Sequence, residues 1–325
     1  MGATKISTQA LNGKAFEYAL LKEFKEKLEL RTAVEITTNS SYTIALNYFN
    51  SFVEKEQNKY SLYASFAVNF LIDLEPRLFH ALDNNDVLSL ELVSDKEGQS
   101  GDVRDVLAIR INQGWEIGIS AKNNHRAVKH SRLSHKLDFG DKWLGLPCSE
   151  EYFSAIEPIF SMLSNYRTAS KATKTWKSLG NYHDSVYVPV LAAFRSELIK
   201  LDKEHPGIVA ANLVQYLIGK KDFYKVIKSE GQVEIQAYNL HGTLNMPFDK
   251  YKPKARVERL KLPTRLIEVV FQENSKSTLL VTLSDGWQIS FRIHNASSRI
   301  ESSLKFDINL ISSPHSLFTN KLFVT

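Results

Sequence analysis

The sequence predicts an α/β fold, a mixed sheet flanked by helices followed by a β-rich C-terminal region, and three observations carry that expectation. Helical periodicity dominates the first quarter of the chain. Strand-like runs then occupy residues 87 to 122, and after a second helical stretch the chain beyond Gly219 turns to short alternating segments separated by turn residues.

From Gln9 to about Leu30, apolar Leu11, Ala15, Phe16, Ala19, Leu20, Phe24 and Leu28 recur at helical spacing, with Asn12 placed as a cap. This amphipathic helix carries Glu17. Two more helices are expected over Ser41 to Glu54 and Tyr60 to Leu82, the second with a break at Pro76. Val87–Val93, Val103–Ile111 and Trp115–Lys122 read as strands, and Asn112-Gln113-Gly114 joins the last two as a hairpin. Their apolar residues fall on both faces, as in a sheet covered on both sides. Residues 149 to 218 return to helical periodicity, with Pro189 near a helix start and His205-Pro206-Gly207 between two helices. Strands then follow over Val233–Leu240, Leu266–Gln272, Thr278–Leu283, Trp287–His294 and Leu304–Ile311, with Ser284-Asp285-Gly286 as a hairpin turn. A boundary near residue 219 divides the chain into a core, 1–218, and a β-rich region, 219–325.

Composition sets the class. The 325 residues are 43% hydrophobic and 24% charged, which fits one large or two ordinary globular domains and excludes wholesale disorder. Lys and Arg number 41 against 36 Asp and Glu, and the net +5 biases the chain mildly toward anionic partners. The one cysteine, Cys148, excludes an internal disulfide and a zinc site of several thiolates. There is no apolar run of membrane-spanning length and no secretory pattern at the start, so a cytoplasmic protein without a membrane partner is expected.

The chemistry concentrates between Gly101 and Ser134. An acid at the start of one hairpin strand and a lysine at the end of the other meet at one end of the sheet, where a divalent cation can lie beside an ammonium group. A two-residue turn at Gln113-Gly114 puts Asp105 opposite Lys122 and Leu107 opposite Ser120; a three-residue loop puts Arg104 opposite Lys122 and breaks the site. Asp102 competes with Asp105 for the metal role, and the one not used caps a turn or pairs with Arg104. Asp105 is preferred because it enters the strand proper. Glu116 shares a strand face with Lys122 but lies roughly 20 Å along it, too far for one metal site.

This layout of Asp, hairpin and x-x-Lys resembles the PD-(D/E)xK nuclease superfamily, in which an acid stands two before the lysine. Here that position is Ser120, and a serine-x-lysine variant with a relocated glutamate occurs among restriction enzymes of the superfamily. Glu17, in Gly13-Lys14-Ala15-Phe16-Glu17, looks like the N-terminal helix glutamate that many such nucleases bring to the metal. Ile119-Ser120-Ala121-Lys122-Asn123-Asn124-His125, followed by Ala127-Val128-Lys129-His130-Ser131-Arg132-Leu133-Ser134 and taken with Gly101-Asp102-Val103-Arg104-Asp105, resembles the HaeIII-type restriction endonucleases. The resemblance implies cleavage of double-stranded DNA at GGCC with Mg²⁺, alongside a cognate methyltransferase acting on the same site, with a homodimer as one option for assembly. Asp105, Lys122 and Ser120 are then the catalytic candidates, and Asp105, Asp102 and Glu17 the metal ligands.

Six Lys or Arg between Lys122 and Lys142 face only Asp138 and Asp141, so this stretch suits phosphate contacts; Asn124, His125, Lys129, His130 and Arg132 are its DNA-binding candidates. Two further basic stretches, Arg167 to Lys177 and Lys250 to Lys261, are as well explained by a solvated surface. His125, His130 and His135 are spaced by five, which aligns on neither a helix nor a strand, so no zinc site is expected there. Pro147-Cys148 resembles the nucleophile dipeptide of cytosine methyltransferases, but no glycine-rich cofactor loop precedes it and the thiol reads as inert. Two rivals remain: a non-catalytic DNA-binding regulator on a nuclease-like scaffold, favoured by Ser120, and a repair or junction nuclease.

Overall fold

The computed structural model describes residues 8–94, 102–124, 127–168, 175–295 and 297–324. The chain divides into two units, each assembled from separate stretches of sequence: Met1–Arg126, Gly219–Leu260 and Ser316–Thr325 form the first, Ala127–Ile218 and Lys261–His315 the second. This differs from the expected split into 1–218 and 219–325. Residue 219 is where the chain returns to the first unit, so the composition change there marks a crossing and not the end of a domain.

The first unit is a seven-stranded mixed sheet in the order β1-β2-β3-β4-β7-β8-β13. Its strands are β1 (Val34–Thr37), β2 (Leu88–Leu92), β3 (Val106–Arg110), β4 (Trp115–Asn123), β7 (Phe223–Ser229), β8 (Gln232–Tyr238) and β13 (Phe318–Phe323). β1 runs parallel to β2 and β4 parallel to β7; the remaining pairs are antiparallel. Three helices accompany it: α1 (Thr8–Leu28), α2 (Ser40–Ser51) and α3 (Glu54–Leu74). Phe16, Ala19, Leu20 and Phe24 of α1 are fully buried and share one core with Ile117, Ile119, Val226 and Ile235 of the sheet. Asn39 caps α2, its side-chain oxygen accepting the Tyr42 amide at 2.9 Å. α3 begins six residues earlier than the periodicity predicts and stops before Pro76, which cannot donate the next helical hydrogen bond and restricts the residue before it.

A buried acid closes this unit. Glu75, the residue after α3, accepts the Tyr224 hydroxyl at 2.6 Å and the Asn245 amide at 2.7 Å on one oxygen, while its other oxygen has no hydrogen-bond partner among the described residues. Burial pushes its pKa up to about 7, against those two hydrogen bonds. The folded chain thus keeps a proton that the unfolded chain releases in the ordinary glutamate range. The resulting stabilisation is complete below that range and is lost as pH rises through about 7. Relative to Glu75→Gln, the wild type should lose up to about 3 kcal/mol of stability between pH 4.5 and 7.5. Urea unfolding of both proteins across that range measures it, and parallel stability curves would refute it.

The second unit pairs a five-strand path, β5-β12-β11-β10-β9, with β6 attached to β12; every pairing is antiparallel. Its strands are β5 (Ala127–Lys129), β6 (Arg132–Leu133), β9 (Leu266–Phe271), β10 (Thr278–Leu283), β11 (Gln288–His294) and β12 (Leu304–Ser312). Helices α4 (Glu150–Thr168), α5 (Val188–Glu204) and α6 (Val209–Ile218) complete it. Phe194 of α5 packs on Phe291 of β11 and Phe306 of β12, with ring centroids 5.6 and 5.4 Å apart. Cys148 is a half-buried thiol accepting the Gly140 amide at 3.2 Å, and burial pushes its pKa up, as its inert reading requires. Among the described residues no helix is long and apolar enough to cross a membrane.

Candidate active site

β4 alternates in the sense its sequence dictates. Trp115, Ile117, Ile119 and Ala121 enter the core, which leaves Glu116, Gly118, Ser120 and Lys122 on the other face. The pairing with β3 runs from Val106↔Ile119 to Arg110↔Trp115, which is neither of the two expected registers. The reason is the turn. Ile111–Gln113 form a 3₁₀ turn closed by Gly114 in the left-handed region, at φ 55°, so the connection is longer than the two- and three-residue loops considered.

Asp105 lies just outside β3. Its amide donates to Ile119 O at 2.8 Å, although Ile119 already faces Val106, so the chain carries an extra residue there in the manner of a bulge. That step brings the Asp105 carboxylate to the β4 backbone. Oδ2 accepts the Ala121 amide at 2.7 Å, the Lys122 ammonium at 3.2 Å and the Ser120 hydroxyl at 3.3 Å. The three catalytic candidates therefore meet at one oxygen.

Glu17 of α1 feels the charges of Asp105 and Lys122. It is 6% exposed, lies among the buried residues of the helix, and receives the Lys14 ammonium at 3.0 Å. Burial first, and then the negative charge of Asp105, push its pKa up to about 8; Lys14 and Lys122 pull the other way. These two carboxylates are hard oxygen donors of the kind Mg²⁺ prefers, and their mutual repulsion is what a cation would relieve. Among the described residues no group of three or more His, Cys, Asp or Glu is gathered to hold a metal.

Asp102 is spent elsewhere. Arg104 forks onto it, Nε to Oδ1 at 2.8 Å and Nη2 to Oδ2 at 2.7 Å, and the Arg104 amide adds a 3.1 Å bond to Oδ1. Burial would raise the Asp102 pKa, but the hydrogen bonds and charge of Arg104 prevail and hold the carboxyl below its usual range. Of the two competing aspartates, Asp102 is the one that pairs with Arg104. Glu116 does so as well, accepting Nη1 at 2.8 Å.

The described DNA-binding candidates fall in both units, Asn124 in the first and Lys129, His130 and Arg132 in the second. Asn124 adopts the left-handed region, φ 54°, and its amide donates to Lys228 O at 2.8 Å; His125 lies outside the described residues. Lys129 is half-buried, donating to Tyr216 O at 2.7 Å with its ammonium 3.6 Å from the centroid of the Tyr216 ring, and burial lowers its pKa to about 8. His130 stands 3.7 Å from Asp307, and exposed Arg132 bonds Ser303 at 2.8 Å with Glu301 at 3.7 Å.

Lys14 and Lys225 were given no role in the sequence reading. Lys14 is one helical turn from Glu17, a spacing that signals contact once Glu17 is suspected. Lys225 of β7 is buried and pairs in register with Ser120, but no alternation marks β7 as a strand. Arg104 was visible only as a pairing partner.

A family model described as HaeIII restriction endonuclease matches residues 13–314. The chain is also 43% identical, over 305 residues, to a protein of Haemophilus aegyptius named Type II restriction enzyme HaeIII, covering 93% of this chain and 94% of that one. No solved structure matches.

Proposed function

From the premise that the chain belongs to the HaeIII restriction endonuclease family, we propose that it hydrolyses phosphodiester bonds of duplex DNA at GGCC with Mg²⁺. The chain is a type II restriction endonuclease, and this membership sets aside the regulator and the junction nuclease. The observation that carries the mechanistic reading is the convergence of Lys122, Ser120 and the Ala121 amide on one oxygen of Asp105, whose charge also reaches Glu17. On this reading residues 8–28 and the β3-β4 hairpin form a core of PD-(D/E)xK type, in which Ser120 stands at the acidic position and Glu17 supplies the carboxylate from α1.

Asp105 and Glu17 would hold the cation. When bound, it supplies Lewis acidity toward a phosphoryl oxygen and toward water. Ala121 and Ser120 fix the Asp105 carboxylate, so its free lone pairs keep one direction. Lys122 places a positive charge at that carboxylate, where it can also meet the charge that grows on the phosphoryl oxygens in the transition state. The bulge and the buried helix provide rigidity, which matters because misplacement by about 1 Å lowers rates by on the order of 10²-fold.

The β-rich second unit would grip the duplex. Arg132, exposed and on its surface, is the better placed phosphate contact; the Lys129 ammonium is engaged by Tyr216. Side chains that read GGCC would fork to guanine O6 and N7. The reading also implies a methyltransferase protecting the same site, action on DNA in the cytoplasm, and two copies matching a palindrome. Digestion of a sequenced plasmid with Mg²⁺ should give discrete fragments ending within GGCC. Fragments ending elsewhere would refute the specificity, and full activity in excess chelator would refute the cation.

A further inference from the structure

The segment 102–105 has no regular strand structure, yet it presents the carboxylate on which the site converges. Its neighbour Arg104 holds it. The Arg104 side chain is 2% exposed, and its guanidinium spans from Asp102, in its own segment, to Glu116 at the other end of β4, with Lys221 reaching Glu116 at 3.4 Å and Asp102 at 3.7 Å. The stem lies flat on Gly118. A Cβ at that position would stand 1.9 Å from Arg104 Cδ, 2.5 Å from Cγ and 2.9 Å from Cβ, so glycine is the residue that lets the arginine lie there. The stem over Gly118 and the bond to Glu116 thus tie the segment to the strand that carries Ser120 and Lys122.

A buried ion pair is a weak device for stability, because desolvating the charges offsets most of their attraction; what it supplies is a defined geometry. The geometry it defines here is the position of the next residue. We propose that Arg104 is a positioning residue of the cleavage reaction, cross-linking the 102–105 segment to β4 over Gly118 so that Asp105 is held in the place where it meets Lys122. The inference rests on the reading of Asp105 as a cation-holding carboxylate, and it places Asp102 and Glu116 as anchors of the clamp.

Two readouts test it: single-turnover cleavage of a GGCC duplex, and calorimetric binding of Mn²⁺ without DNA. Arg104→Met should slow cleavage about 100-fold and weaken Mn²⁺ binding about tenfold, with DNA affinity unchanged within a factor of about three. Gly118→Ala should do the same with the arginine present, since its methyl displaces the stem. Arg104→Met with wild-type rate and Mn²⁺ affinity overturns the proposal. Should that variant not fold, Arg104→Lys is read instead; it keeps the charge and loses the fork. Asp105→Asn separates the two failures. If it leaves Mn²⁺ binding and cleavage intact, the reading of the site is wrong; if it removes them while the Arg104 variants are wild type, only the clamp is.

Discussion

Asp105→Asn and Lys122→Ala should each lower the cleavage rate by on the order of 10³-fold while leaving affinity for duplex DNA within a few-fold. Asn at position 105 keeps an oxygen for the Ala121 amide but loses the charge that pairs with Lys122 at 3.2 Å and that a cation would use. Both side chains are partly exposed, so their pairing contributes little to stability and neither variant should unfold. Lys122→Ala removes at most one phosphate contact, which would flatten the dependence of log K on log salt by about 0.9 and no more. Rates from quenched single-turnover digests and affinities from fluorescence anisotropy across a salt series measure both quantities. Wild-type cutting by either variant removes that residue from the site. A dead Asp102→Ala beside an active Asp105→Ala would reverse the choice between the two aspartates, against the fork that ties Asp102 to Arg104.

The elements that position the site were readable where one local pattern suffices. Phe16, Leu20 and Phe24 mark the buried stripe of α1, and a strand-like run after the turn Asn112-Gln113-Gly114 marks β4, because each depends only on neighbours in sequence. The register was not readable. It depends on a turn in which Gly114 takes positive φ after three residues of 3₁₀ structure, and on an extra residue at Asp105 that alters which face it meets. β7 carries lysines at 225 and 228 where a strand buried on both faces should be apolar, and only its place between β4 and β8 explains their burial. The same holds for the division into units, since a sheet drawing strands from both ends of the chain is a long-range property. Asp105 and Lys122 were singled out by spacing and resemblance, and Glu17 by resemblance to the N-terminal helix glutamate of such nucleases. The clamp was hidden because an arginine between two acids looks like a surface ion pair until Gly118 is seen to make room for it.

Glu17→Gln should lower the cleavage rate at limiting Mg²⁺ by on the order of 10²-fold, and it should also remove a pH dependence that the wild type shows. Burial and the neighbouring Asp105 charge put the Glu17 pKa at about 8, so without a cation the folded protein carries this carboxyl protonated at neutral pH. A divalent ion needs the ionised form and must displace that proton. Apparent affinity for Mn²⁺ should therefore rise toward pH 8, by at most about tenfold per unit, and level off above it, with about one proton released per ion at pH 6. The sign for the cation-free protein is opposite. The proton that the folded state retains stabilises it fully below the ordinary glutamate range, and this contribution is lost as pH rises through about 8, a decline absent from Glu17→Gln. Calorimetry at pH 6, 7 and 8 in buffers of different ionisation enthalpy measures affinity and proton release together. An identical pH slope in Glu17→Gln would mean that Glu17 does not hold the ion. Because Lys14 lies 3.0 Å from the same carboxylate, Lys14→Met should shift the midpoint of that slope upward, an effect with no counterpart if α1 only supports the sheet.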